Sequence, residues 1–152
     1  MSARTPFCRR LREERGAQLV EFALVFPLLL LLTAGIIDMG LVIKDYQVVT
    51  NAAREGARLG ALEGIGDDLV VARVNTYLES GGLRAVAETD VAEVEVGGGA
   101  GPTFTAVDVV VSYPHAVLML APVTGLFEAL SFPSSVTLRA RATMRREVVT
   151  AQ

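Results

Sequence analysis

The sequence predicts an α+β fold, in which one long N-terminal helix, membrane-spanning in its first half, packs on a small antiparallel β-sheet. Three features predict it. An apolar, uncharged stretch at residues 22–37 passes into small residues at helical spacing that end near Leu62. Residues 67–82 repeat the helical pattern with start and stop signals at its ends. Strand-like segments at 91–96 and 103–113 then bracket a glycine-rich turn, and an alternating segment follows at 136–145.

The first helix begins beside a basic flank: residues 1–16 hold five arginines and two glutamates. That excess predicts a cytoplasmic N-terminus, with everything after the apolar run lying across the membrane. Residues 22–37 span about 24 Å as a helix, short of a hydrocarbon core of roughly 30 Å, so neighbouring residues extend the span to about 22–43. The eleven Leu, Ile, Val and Phe side chains of the run favour insertion by roughly 3 to 6 kcal/mol, whereas one acidic residue at the bilayer centre costs about 2.5 to 3.5 kcal/mol. Insertion therefore wins, with Glu21 near one end of the span and Asp38 expected toward the outer interface. Pro27 removes one backbone hydrogen bond and is expected to bend the helix, which a membrane helix tolerates.

A single helix from Ala17 to about Leu62 is expected, because Val42, Tyr46, Val49, Ala53, Gly56 and Gly60 recur at steps of three and four. Ala52, Gly56 and Gly60 lie four apart and permit close approach of another backbone. Each glycine costs about 1 kcal/mol of helix propensity, so tight packing must offset it. Glu55 and Arg58, three apart, form a surface pair of small value.

Asp67 and Asp68 at a helix start, and Gly81 and Gly82 just past its end, read as caps around an apolar face of Val70, Val74, Tyr77 and Leu78. In 91–96, Glu93 and Glu95 alternate with Val94 and Val96, so one face of that strand is wet. GGGAGP reads as the loose tip of a hairpin. Residues 116–130, apolar but broken by Pro122 and Gly125, are expected as a loop and short helix covering the sheet. In the last strand Val136, Leu138, Ala140, Ala142 and Met144 face inward, and the outward Arg139, Arg141 and Arg145 form a solvated face that guards an edge.

A net charge of −3, with basic residues divided between 4–15 and 139–146, gives no footprint for nucleic acid. The single cysteine, Cys8, excludes an internal disulfide and a multi-cysteine metal site. His115 is the only histidine and is expected in a loop beside Pro114, so zinc and histidine-paired nucleophiles are poorly supported. Asp67 and Asp68 lack a calcium-loop context, and GGGAG lacks the lysine and helix start of a phosphate loop. No catalytic residue, cofactor or metal is expected.

Three readings fit the head of the chain: a cleaved secretory signal, an uncut membrane anchor, and a processed subunit that keeps its apolar helix. The first two assign Glu21 no role. Gly16 followed by Ala17, Gln18, Leu19, Val20, Glu21 and Phe22 resembles the processing site of type IV pilin-like proteins, in which the peptidase cuts after the glycine and the fifth residue of the mature chain is glutamate. RGAQLVEFALVFPLLLLL, then NAAREGARLGA, and LRARATMRREV near the end resemble TadE-like proteins, minor pilins or pseudopilins of tight-adherence, Flp-type pili. The resemblance is strongest over residues 15–62.

The resemblance implies removal of the leader 1–16 by prepilin peptidase, a helix at 17–62, and an extracytoplasmic, pilin-like α+β domain at 63–152. It implies Gly16 and Ala17 at the cut, Glu21 and Phe22 in assembly and register, and Leu24, Pro27, Leu28, Leu31, Ala52, Gly56 and Gly60 in helix packing. Its implied partners are the peptidase, other pilin and pseudopilin subunits, the tight-adherence assembly machinery and membrane lipid. The alternative from another class is an uncleaved bitopic anchor carrying a small extracytoplasmic binding domain.

Overall fold

A computed structural model of the chain describes residues 6–84, 87–97, 103–120 and 133–146; within the first helix, side chains are described at Gly16 and from Gln18 onward. The chain divides into two compact units, Met1–Asp38 with Leu118–Phe132, and Met39–Val117 with Pro133–Gln152.

Helix α1 runs from Pro6 to Gly60 as one element. It starts eleven residues before the expected Ala17. The cause is local: proline suits a first helical turn, and Arg, Leu and Glu, which dominate residues 9–15, are strong helix formers that carry the helix through Gly16. Pro27 sits inside α1 without ending it. In the first unit nearly every large side chain of this helix is exposed, from Leu19 at 69% to Ile36 at 66%. An apolar surface on all sides has no partner in water, and a helix built this way is buried in lipid or among other helices.

The second unit holds the core. Val49, Ala52, Ala53 and Ala57 of α1 pack with Val70, Val74 and Leu78 of helix α2 (Asp67–Ser80), and with side chains of a three-stranded sheet. The expected α2 face is therefore correct, with Tyr77 at its partly buried margin. The expected aspartate cap is not: Gly66 occupies the N-cap without a side-chain hydrogen bond, and Asp67 and Asp68 fall in the first turn. There they act on the helix dipole. At the other end Gly82 has a positive φ of 84°, its N–H donates to the Glu79 carbonyl, and the Leu83 N–H donates to the Leu78 carbonyl. This is a Schellman ending, locked by burial of Leu83.

Strands β1 (Glu88–Val96), β2 (Phe104–Ala116) and β3 (Ser135–Arg145) form an antiparallel meander in that order. Val107, Val109, Val111 and Tyr113 of β2, with Leu138 and Ala140 of β3, supply the sheet's share of the core. Residues directly opposite in a ladder share a face, so the register Val91↔Val109 puts Val91 on the core side. The same register puts Glu93 opposite Val107 and Glu95 opposite Thr105, on the helix-facing side. The alternation of β1 thus holds, but Val94 and Val96 point to the outer face, and Glu93 forms an ion pair with Arg146.

β2 extends past its expected end and takes in Pro114 and His115. The β1 ladder stops at Glu88↔Ser112, so β2 is an edge on one side by Pro114, where a missing N–H is tolerated. His115 is accordingly a buried strand residue, 4% exposed, and not a loop residue. On β3, Leu138, Ala140, Ala142 and Met144 face inward as expected, whereas Val136 at the strand start is 40% exposed. The hairpin tip at 98–102 and the expected loop and short helix beyond Leu120 lie outside the described residues.

Candidate functional site

The residues expected to act together separate into two groups on α1. Gly16, Glu21, Phe22, Leu24 and Leu28 are exposed, with Pro27 and Leu31 partly covered. The backbone at Ala17 is helical. Phe22 and Phe26, one turn apart, stack with ring centroids 5.3 Å apart. Among the described residues α1 is the one helix long and apolar enough to cross a membrane, and almost none of its most apolar stretch is covered by the rest of the chain. This half presents a continuous greasy surface with one carboxylate, Glu21, a turn beyond Ala17.

Ala52, Gly56 and Gly60 form the second group, and all three are buried. Their close approach is to side chains of the same chain. A Cβ placed on Gly56 would lie 2.6 Å from Val74 Cγ2 and 3.4 Å from Val109 Cγ1. One placed on Gly60 would lie 3.0 Å from Val107 Cγ1 and 3.2 Å from Val70 Cγ2. The small face lets α1 seat against α2 and β2 at once, and this contact offsets the helix propensity the glycines give up.

Three carboxylates are buried: Asp38, expected only toward the outer interface, and Asp45 and Asp108, to which the sequence reading assigned nothing. Asp38 is 5% exposed, and its oxygens accept the backbone N–H groups of Leu118, Met119 and Leu120, at 3.2 Å for the first and 3.0 Å for the second. Asp45, also on α1, meets His115 Nδ1 at 2.7 Å and has Lys44 Nζ at 3.5 Å. Asp108, on the outer face of β2, accepts from Arg141 Nε and Thr143 Oγ1, each at 2.7 Å. Burial pushes the Asp108 carboxyl up, but the bonds from Arg141 and Thr143 together with the arginine charge outweigh it and hold the group below the usual aspartate range.

A signal existed for each. Asp38 ends an apolar run; Asp45 precedes Tyr46 near the core-facing Val42 and Val49; Asp108 interrupts VDVVV in a strand. A charge at such a position is retained with a partner, but the partners lie 33 to 82 residues away. The expected Glu55–Arg58 pair forms at 3.2 Å, and Arg73 of α2 joins it at 2.8 Å. The outward arginines divide as well: Arg141 serves Asp108, and Arg145 lies over the Phe104 ring at 4.9 Å.

Residues 16–58 match the family model described as TadE-like protein. The match begins at the glycine of the expected cut, covers the apolar half of α1 and ends within its small-residue face. The match spans 43 of the 152 residues, so the likeness to TadE-like proteins is a likeness of this helix. No curated protein and no solved structure matches the chain.

Proposed function

We propose that the chain is a minor pilin, or pseudopilin, of a tight-adherence, type IVc pilus, a structural subunit for pilus assembly and surface adhesion. The observation that carries this reading is the exposed apolar half of α1, with Glu21 five residues past Gly16 inside the family match. Prepilin peptidase hydrolyses the Gly16–Ala17 peptide bond on the cytoplasmic side, removing residues 1–16 and leaving a new α-amine on Ala17. The apolar helix stays on the product and holds it in the inner or cytoplasmic membrane as a single pass at about 22–43. The α+β domain at 63–152 lies outside.

Assembly withdraws this helix from lipid and packs it among the helices of other pilin subunits through Phe22, Leu24, Pro27, Leu28 and Leu31. A lone carboxylate in such a dry bundle costs several kcal/mol unless it is paired. The Ala17 ammonium of the adjoining subunit is the partner of Glu21. The pair selects one axial register, because every other register leaves both charges without a partner. N-terminal sequencing of protein extracted from membranes tests the reading: a mature chain beginning at Ala17 is expected. Glu21→Gln is expected to impair assembly, and a variant processed and assembled like the wild type refutes the register role.

One observation favours a second reading, an uncleaved bitopic anchor. The helix passes through Gly16 without a break, whereas a protease cleft takes an extended strand, so cleavage requires local unwinding there. Persistence of residues 1–16 in the membrane-extracted chain selects that reading.

A further inference from the structure

Asp38 marks a level along α1. It follows directly on the run 22–37 and lies about 8 Å along the helix before the end of the span at about 43, so in a membrane its carboxylate stands in the outer part of the acyl region. At that level it is turned away from solvent, at 5% exposure, and accepts three successive backbone N–H groups from Leu118, Met119 and Leu120. Those donors belong to the connection between β2 and β3, and they form part of the same compact unit as the apolar half of α1.

The side chains around this buried carboxylate are large, apolar and exposed. Ile37 precedes it on α1 at 45% exposure, and Leu118 and Met119, whose N–H groups it accepts, are 58% and 46% exposed. These side chains continue the exposed apolar surface of the helix. We propose that residues 118–120, at the start of the β2–β3 connection, make a second membrane contact, in which Asp38 pins their backbone to α1 and Leu118 and Met119 enter the outer acyl region of the bilayer beside the helix. The occupant of this surface is lipid, because the patch is continuous with the helix surface that lipid covers. The carboxylate satisfies the N–H groups that this depth would otherwise strip of water.

The proposal rests on reading α1 as a membrane helix, and the experiment separates the two. Full-length chain carrying Cys8→Ser is reconstituted in phosphatidylcholine vesicles with one environment-sensitive fluorophore, at Leu30→Cys or at Met119→Cys. It is challenged with lipids bearing shallow or deep nitroxides and with aqueous iodide. At residue 119, quenching by the shallow nitroxide is expected to exceed that by the deep one at least twofold, with protection from iodide. At residue 30 the deep nitroxide is expected to dominate. Both results should be unchanged on tenfold lipid dilution.

Asp38→Ala is expected to raise iodide access at residue 119 at least twofold and to leave residue 30 unaltered. Asp38→Asn, which keeps an acceptor oxygen, should give a smaller change, and the residue 30 signal reports whether either variant still inserts. Quenching of residue 119 by iodide and not by lipid, with residue 30 still deep, overturns the proposal alone. Protection of residue 119 from both quenchers, or loss of its protection on lipid dilution, assigns the patch to a second copy and overturns it equally. A residue 30 probe that no lipid quenches overturns the membrane reading and the proposal with it. An unchanged residue 119 signal in Asp38→Ala removes the pinning role.

Discussion

Replacing Gly56 by alanine tests the packing of α1 against α2 and β2 within the second unit. The added methyl would stand 2.6 Å from Val74 Cγ2, about 1 Å inside an ordinary carbon contact, with Val109 Cγ1 and Val70 Cγ1 at 3.4 and 3.5 Å. Val74 and Val109 are 0% exposed and Val70 is 1% exposed, and a β-branched side chain has little rotamer freedom with which to retreat. The helix must shift outward instead. Overpacking of this kind costs about 1 to 3 kcal/mol, and the gain in helix propensity returns about 1 kcal/mol. A net loss of up to about 2 kcal/mol is expected from Gly56→Ala. Gly60→Ala meets its neighbours at 3.0 and 3.2 Å, a misfit of a few tenths of an ångström, so its two effects nearly cancel. Urea unfolding of the full chain in mild detergent, followed by the fluorescence of Tyr77 and Tyr113 at the core, measures both variants. A Gly56→Ala midpoint at or above the wild-type value, with helix content unchanged, refutes the close-contact account.

Other predictions concern the buried polar groups and the end of α2. His115→Ala leaves Asp45 without its 2.7 Å partner and should cost about 1 to 3 kcal/mol by the same unfolding assay, whereas His115→Gln, which can still donate, should recover part of the loss. Because the folded-state pKa of Asp108 is depressed, its stabilising contribution is full above the ordinary aspartate value of about 3.9 and is lost as pH falls through the lower folded value. Asp108→Asn should therefore destabilise at pH 7 and converge with the wild type near pH 2 in melting scans. Gly82→Ala forces a side chain into a left-handed conformation at φ 84° and should lower stability by about 1 kcal/mol, with faster amide exchange at the C-terminal turn of α2.

The elements of this fold were legible because each repeats a pattern with its own period. A 3.6-residue face runs through Val70, Val74 and Leu78, and a two-residue alternation through Leu138 to Met144, and both survive into the folded chain. Ends and partners were less legible. The start of α1 at Pro6 depends on helix formers that carry no amphipathic pattern, and Asp67 reads equally as a cap or a first-turn residue because aspartate serves both positions. β1 has an alternation that fits either face, and its register against β2, not its composition, sends Val94 and Val96 outward.

What the sequence alone determined about this protein is the greasy half-helix, the glycine and glutamate at its head, and the small residues spaced four apart on its second half. These are properties of consecutive residues, and their physical meaning travels with them. The tertiary structure alone decided what the buried acids do: Asp38 holds a strand connection, Asp45 meets a histidine from the sheet, and Asp108 joins two strands. The reason is distance along the chain. A hydrogen bond between residues 70 or 80 apart is created by folding, and nothing periodic near either residue announces the other.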